Sequence, residues 1–176
     1  IKDSWPLMLS GMAIMVYMRV DQIMLGNIIG DEAVGIYSIA VRISEVWYFV
    51  PMVIVSSLFP SIILWKDEGE KIYYSRLQLL YDWMVILALI VALVTSFVAH
   101  DLIALRFGES YSEAAPILSI YVWAGIFVAL GVARGKWLLV ENLQHMGYWY
   151  IGIAMIVNIV LNLLLIPEYG LMGAAW

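Results

Sequence analysis

Apolar residues do not alternate with polar ones along this chain; they run in long blocks with no polar stripe of any width. Blocks of this kind predict helices at about residues 4–29, 33–65, 77–99, 114–139 and 146–166, with a further one starting near 171. A helix needs roughly 20 mostly apolar residues to cross a bilayer, and each complete block has that length. The run "MVILALIVALV" inside the third is unbroken. Pro6 and Pro116 fall in first turns, where a missing N–H costs nothing. Pro51 and Pro60 fall inside the second block, which is too long for one straight crossing and is expected to kink or to leave the membrane. The connections are short: "GNIIGDE", "KDEGEKIYYSR", "HDLIALRFGESYSE", "ENLQHMG" and "PEYG". The pattern therefore predicts one all-α domain, a polytopic transmembrane helix bundle over 1–176.

Composition agrees. Hydrophobic residues make up 64% of the chain and charged ones 13%, against about a quarter charged in a soluble domain. That excess cannot be hidden in one core. The net charge of −5 says little when most of the chain sits in lipid. There is no cysteine for a disulfide or a thiolate metal site, and no basic patch interleaved with aromatics for a nucleic acid. The chain opens "IKDSWPLML" and stops at "GLMGAAW", where an apolar segment has only begun, so it reads as an internal piece of a longer protein.

Lys and Arg set the orientation. Lys2, Lys66, Lys71, Arg76, Arg134 and Lys136 belong to one face and Arg106 alone to the other, which makes the first residue cytoplasmic. Arg19 and Arg42 are left over. They lie 11 residues before and 12 after the turn at Gly30, so each sits roughly 16–18 Å below the outer surface, near mid-membrane. Asp21 and Glu45 share that layer. Each such charge costs on the order of 3 kcal/mol to insert, and such residues face a bundle interior or a watery cavity. An interhelical ion pair that locks the hairpin and a substrate or coupling-ion site both fit.

Other polar features are weaker. His100 and His145 have no clustered carboxylate, so neither points to a metal, and no cofactor is expected. Asn158 and Asn162 are one turn apart and read as interhelical hydrogen-bond glue. Gly131 and Gly135 form a GxxxG, a motif of low specificity here. Trp5, Trp65, Tyr73, Tyr74, Trp149 and Tyr169 lie near helix ends and read as an interfacial belt; Trp47 and Tyr48 read as core. Arg134 lies one or two turns inside the fourth helix if that helix runs on to Glu141. A membrane enzyme would need a large loop bearing catalytic groups, and none exists between these helices.

Three stretches, "WPLMLSGMAIMVYMRVDQIMLG", "VGIYSIAVRISEVWYFVP" and "VLNLLLIPEYGLMGAAW", together resemble the polysaccharide-biosynthesis flippases, which share a superfamily with the multidrug and toxic-compound extruders. The resemblance covers nearly the whole chain in order and is generic between about Trp65 and Leu118. It implies a two-lobe fold of 12–14 helices around a cavity, with this chain at the start of the second lobe. It implies alternating access and a polyprenyl-diphosphate-linked oligosaccharide as substrate, in the bacterial inner membrane and without catalysis. Arg19, Arg42 and Arg134 would then meet the anionic head group. Asp21 and Glu45 would neutralise them or carry a coupling H+ or Na+. A cation-coupled exporter of drugs or metabolites with the same fold is the alternative; two arginines against two carboxylates lean towards an anionic substrate.

Overall fold

The computed structural model describes residues 18–176, and every regular element among them is helical. In chain order these are α1 (Val20–Ile28), α2 (Asp31–Glu45), a 3-10 turn (Val46–Tyr48), α3 (Phe49–Asp67), α4 (Glu70–Phe107), a second 3-10 turn (Glu109–Tyr111), α5 (Ala114–Tyr121), α6 (Ala124–Val140), α7 (Gln144–Tyr169) and α8 (Leu171–Ala175). Four stretches are long and apolar enough to cross a membrane: Asp31–Asp67, Glu70–Phe107, Ala114–Val140 and Gln144–Tyr169. Most of the first predicted helix, 4–29, lies outside the described residues.

The helices run past their apolar blocks. α4 has 38 residues where the apolar pattern marked 77–99, and at 1.5 Å per residue it is about 57 Å long. A hydrocarbon core of ~30 Å needs only half of that. The ends, "EKIYYSR" and "HDLIALRF", are polar enough to leave lipid yet made of residues that accept helix, so hydropathy marks a loop where the backbone keeps winding. Gly69 (φ 109°) and Gly108 (φ 89°) bound the helix in conformations that residues with a Cβ rarely adopt.

The long second segment is interrupted once, at the 3-10 turn Val46–Tyr48. Pro51 follows in the first turn of α3, where its missing N–H leaves nothing unpaired, whereas α3 runs unbroken through Pro60. The predicted fourth helix is likewise broken, between Tyr121 and Ala124.

Packing divides the described chain into two units: residues up to Ser38 with His145–Trp176, and Ile39–Gln144. In the second unit Tyr73, Leu77, Leu80 and Met84 of α4 recur at helical spacing and meet Val55 and Ile62 of α3 and Ala129 and Ala133 of α6. Tyr73 is therefore core, only 2% exposed, and not part of an interfacial belt. Ala129 and Ala133 form the small face that lets α6 approach. The GxxxG does not: Gly131 and Gly135 are exposed, and a Cβ on either would meet nothing within 4 Å. Ser96 joins α4 to α5 by donating to the Ser119 carbonyl (3.0 Å), the Ser119 hydroxyl donates to the Ala115 carbonyl on its own helix (3.0 Å), and the Trp123 indole donates to Ser96 Oγ.

In the first unit Leu25 of α1 and Ala33 and Tyr37 of α2 are buried, and Gly26 gives α1 room beside Val34. α7 carries the close backbone approach of α8: any Cβ on Gly173 would collide with the Leu165 carbonyl. Among the described residues the Asn158–Asn162 pair bonds within its own helix and not between helices. Asn162 Nδ2 donates to the Asn158 carbonyl (3.0 Å) and to Asn158 Oδ1 (3.1 Å), one turn back on the same helix.

Candidate functional site

α1 begins at Val20, which leaves Arg19 at its N-terminal boundary, exposed, and Asp21 in the first turn, 7% exposed. The two are within electrostatic reach of each other. Asp21 Oδ1 accepts from the Gln22 amide (2.8 Å), and Oδ2 lies 2.6 Å from the Tyr37 hydroxyl of α2. That hydroxyl also lies 3.0 Å from the Ala174 carbonyl of α8. Asp21 is thus held by its own helix and by α2, and reaches α8 only through the Tyr37 hydroxyl.

Arg42 is exposed in the last turn of α2, and Glu45, half-buried, is its final residue, directly before the 3-10 turn. The two halves of the predicted charged layer therefore belong to different packing units, Arg19 and Asp21 to one, Arg42 and Glu45 to the other. Arg134 is exposed on α6, six residues before the helix ends at Val140, about 9 Å from that end. It lies within electrostatic reach of Tyr81 on α4.

A cavity of about 30 Å³ lies in the second unit where the two helix interruptions meet α4. Ser44, Trp47, Tyr48 and Pro51 line it from one break, Val122 and Gly125 from the other. Trp47, read as core, is 42% exposed and lines this space. Ser44 is 1% exposed and its hydroxyl has no hydrogen-bond partner among the described residues. Among those residues no cluster of His, Asp or Glu could hold a metal ion.

One polar cluster was missed in the sequence. Lys66 at the end of α3 donates to Glu141 Oε2 (2.9 Å) and to the Val140 carbonyl (3.2 Å), and the Tyr73 hydroxyl of α4 donates to Glu141 Oε1 (2.9 Å). The Lys66 hydrogen bond, aided by that of Tyr73, holds the Glu141 carboxyl below its ordinary pKa despite partial desolvation. This clamp ties the ends of α3, α4 and α6. Beside it Arg76 pairs with Glu68 (3.0 Å) and lies over the Trp65 ring. Tyr37 was missed as well, although the spacing of Ala33, Tyr37, Ala40, Val41 and Ser44 marks one buried face on which it is the largest polar group. Asp82, inside an apolar block, went unremarked; it accepts from Gln78 Nε2 one turn earlier (2.7 Å).

Residues 1–64 match the family described as polysaccharide biosynthesis protein. Over 172 residues, 92% of this chain, the sequence is 33% identical to the probable flippase AglR of Haloferax volcanii. The chain is kin to the polysaccharide-biosynthesis flippases. It is also 25% identical over 158 residues, 89% of the chain, to the capsular polysaccharide biosynthesis protein CapF of Staphylococcus aureus. To the teichuronic acid biosynthesis protein TuaB of Bacillus subtilis it is 28% identical over 162 residues, 90% of the chain. The chain spans 34%, 40% and 33% of the lengths of these three relatives. No solved structure matches it. With four helices of membrane-spanning length among its described residues, it is a multi-pass membrane protein of a transporter family.

Proposed function

We propose that this chain belongs to a flippase that carries a polyprenyl-diphosphate-linked oligosaccharide across the bacterial inner membrane for surface polysaccharide synthesis. The observation that carries the reading is kinship along nine-tenths of the chain to proteins named for flipping and for polysaccharide biosynthesis. Chemistry supports it. A diphosphate sugar passing mid-membrane needs cations that water does not screen; Arg42 and Arg134 are exposed guanidinium groups on segments of spanning type, and Arg19 is exposed at the start of α1. Each offers a planar fork that fits a phosphate. Asp21 and Glu45 balance that charge between substrates or carry a coupling H+ or Na+. The polyprenyl tail stays in lipid while the head group crosses, so the protein moves its substrate without making or breaking a covalent bond.

The test is complementation. A host lacking its own flippase accumulates the lipid-linked glycan and loses surface polysaccharide. The intact protein is expected to restore surface polysaccharide and clear the intermediate. Export of organic cations without any effect on the intermediate would replace this reading with the cation-exporter one.

A further inference from the structure

Tyr37 carries one hydroxyl proton and faces two acceptors. Its oxygen lies 2.6 Å from Asp21 Oδ2 and 3.0 Å from the Ala174 carbonyl, and one proton cannot serve both in full. If Asp21 is a carboxylate, either Tyr37 donates to it and meets the Ala174 oxygen lone pair to lone pair, or it donates to Ala174 and meets the carboxylate the same way. A second proton removes the conflict. Protonated Asp21 donates through Oδ2 to Tyr37, Tyr37 donates to Ala174, and Asp21 Oδ1 remains the carbonyl oxygen that accepts the Gln22 amide at 2.8 Å. These three contacts are then each made in their proper sense. The setting favours this: Asp21 is 7% exposed and Tyr37 fully buried, and an ionised carboxylate is expensive in such a place.

We propose that Asp21 is a proton-binding site whose occupancy decides, through the Tyr37 hydroxyl, whether α8 is tied to α1 and α2. Loss of the proton turns the Tyr37 O–H towards the carboxylate, because a charged acceptor outcompetes a peptide carbonyl, and the Ala174 oxygen is released. The proton goes to water and no other bond changes. α8 can register this at its start, where Gly170 joins it to α7 and the close approach at Gly173 seats it. Among the described residues the charged groups around the site are few. Arg19, on the same segment, lies within electrostatic reach of Asp21. On α2, Asp31 and Glu32 are exposed at the far start of the helix; on α7, Glu168 and Tyr169 are exposed. α8 brings no titratable side chain. The assignment rests on the flippase reading only for its role in transport, where it makes H+ the coupling ion and Asp21, not Glu45, its carrier.

The test uses the intact protein in lipid nanodiscs. Infrared titration should show a protonated-carboxyl stretch that disappears as pH rises and is absent from Asp21→Asn. In Tyr37→Phe it should persist about one pH unit higher, because the lost hydrogen bond stabilises the carboxylate more than the acid. Hydrogen exchange of Leu171–Ala175, corrected for intrinsic rates, should be slow below the midpoint and fast above it. Asp21→Asn, whose amide can donate to Tyr37, should hold it slow at both, and Tyr37→Phe fast at both. Absence of a band assignable to Asp21, or exchange of α8 indifferent to pH in the unaltered protein, overturns the proposal. Glycan complementation by the same variants separates the two readings. A band with a pH-dependent α8 but normal glycan output in Asp21→Asn leaves the proton site standing and removes its role in flipping. Absence of the band alongside normal complementation does the reverse.

Discussion

Substituting small residues on opposite faces of α6 discriminates the packing seen here from the packing its glycine motif suggests. Ala133 is 2% exposed among Tyr73, Leu77 and Leu80 and does not border the cavity, so the three carbons added by Ala133→Leu have nowhere to go. Overpacking of this kind costs about 1–3 kcal/mol. At roughly 2–4 °C per kcal/mol for a chain of this size, the loss is several degrees of thermal stability. Ala129 does border the cavity of about 30 Å³, so Ala129→Val is expected to cost less, under about 1.5 kcal/mol. Gly131→Ala and Gly135→Ala place a methyl where nothing lies within 4 Å and should fall within about 0.5 kcal/mol of the unaltered protein. The assay is thermal stability in detergent, followed by fluorescence-detected size exclusion of the intact protein. The packing is refuted if Gly131→Ala and Gly135→Ala lower stability as much as Ala133→Leu does.

Three further outcomes are expected. The Lys66–Tyr73–Glu141 clamp contributes stability that is present above the ordinary glutamate pKa and lost as pH falls through the lowered folded value, below about 4.5; with its groups partly exposed the amount is ~0.5 kcal/mol, and Glu141→Gln should flatten this acid-side slope in a pH series of melting curves. Cysteines at Glu70 and Glu109, at opposite ends of α4, should label oppositely with an impermeant thiol reagent in intact cells, Glu109 reacting and Glu70 not; equal labelling contradicts the orientation. Swapping Arg42 and Glu45 should restore protein abundance but not surface polysaccharide, because a substrate phosphate would feel the displaced cation; full restoration makes the pair a structural lock.

What the sequence disclosed follows from how strongly physics constrains each feature. Bilayer thickness forces long apolar blocks, so the helices of 31–67, 70–107, 114–140 and 144–169 were each visible as blocks. Their ends were not, because outside lipid the chain can wind on through Glu70–Arg76 or His100–Arg106 with no change of pattern. Two prolines offered themselves as breaks, and only the one beside the Val46–Tyr48 turn marks one. Glycine spacing pointed to residues 131 and 135, yet which face of a helix turns inward depends on its partners, and here it is the alanine face. Asp21 was conspicuous as a charge in an apolar segment. Its partner Tyr37 was hidden, because a tyrosine 16 residues away carries no mark of the proton it shares. The clamp joining Lys66 to Glu141 was hidden for the same reason, its members being 75 residues apart.

Flipping itself is the central claim, and reconstitution measures it most directly. The intact protein is placed in proteoliposomes whose inner leaflet carries a radiolabelled polyprenyl-diphosphate oligosaccharide, and the fraction reaching an external glycan-cleaving enzyme is followed over time. The account predicts that this fraction rises with the protein present, that Arg19→Lys keeps part of the rate, and that Arg19→Gln loses most of it while inserting in equal amount. Unchanged exposure of the glycan with and without the protein, or an Arg19→Gln variant whose activity falls only in step with its abundance, would contradict it.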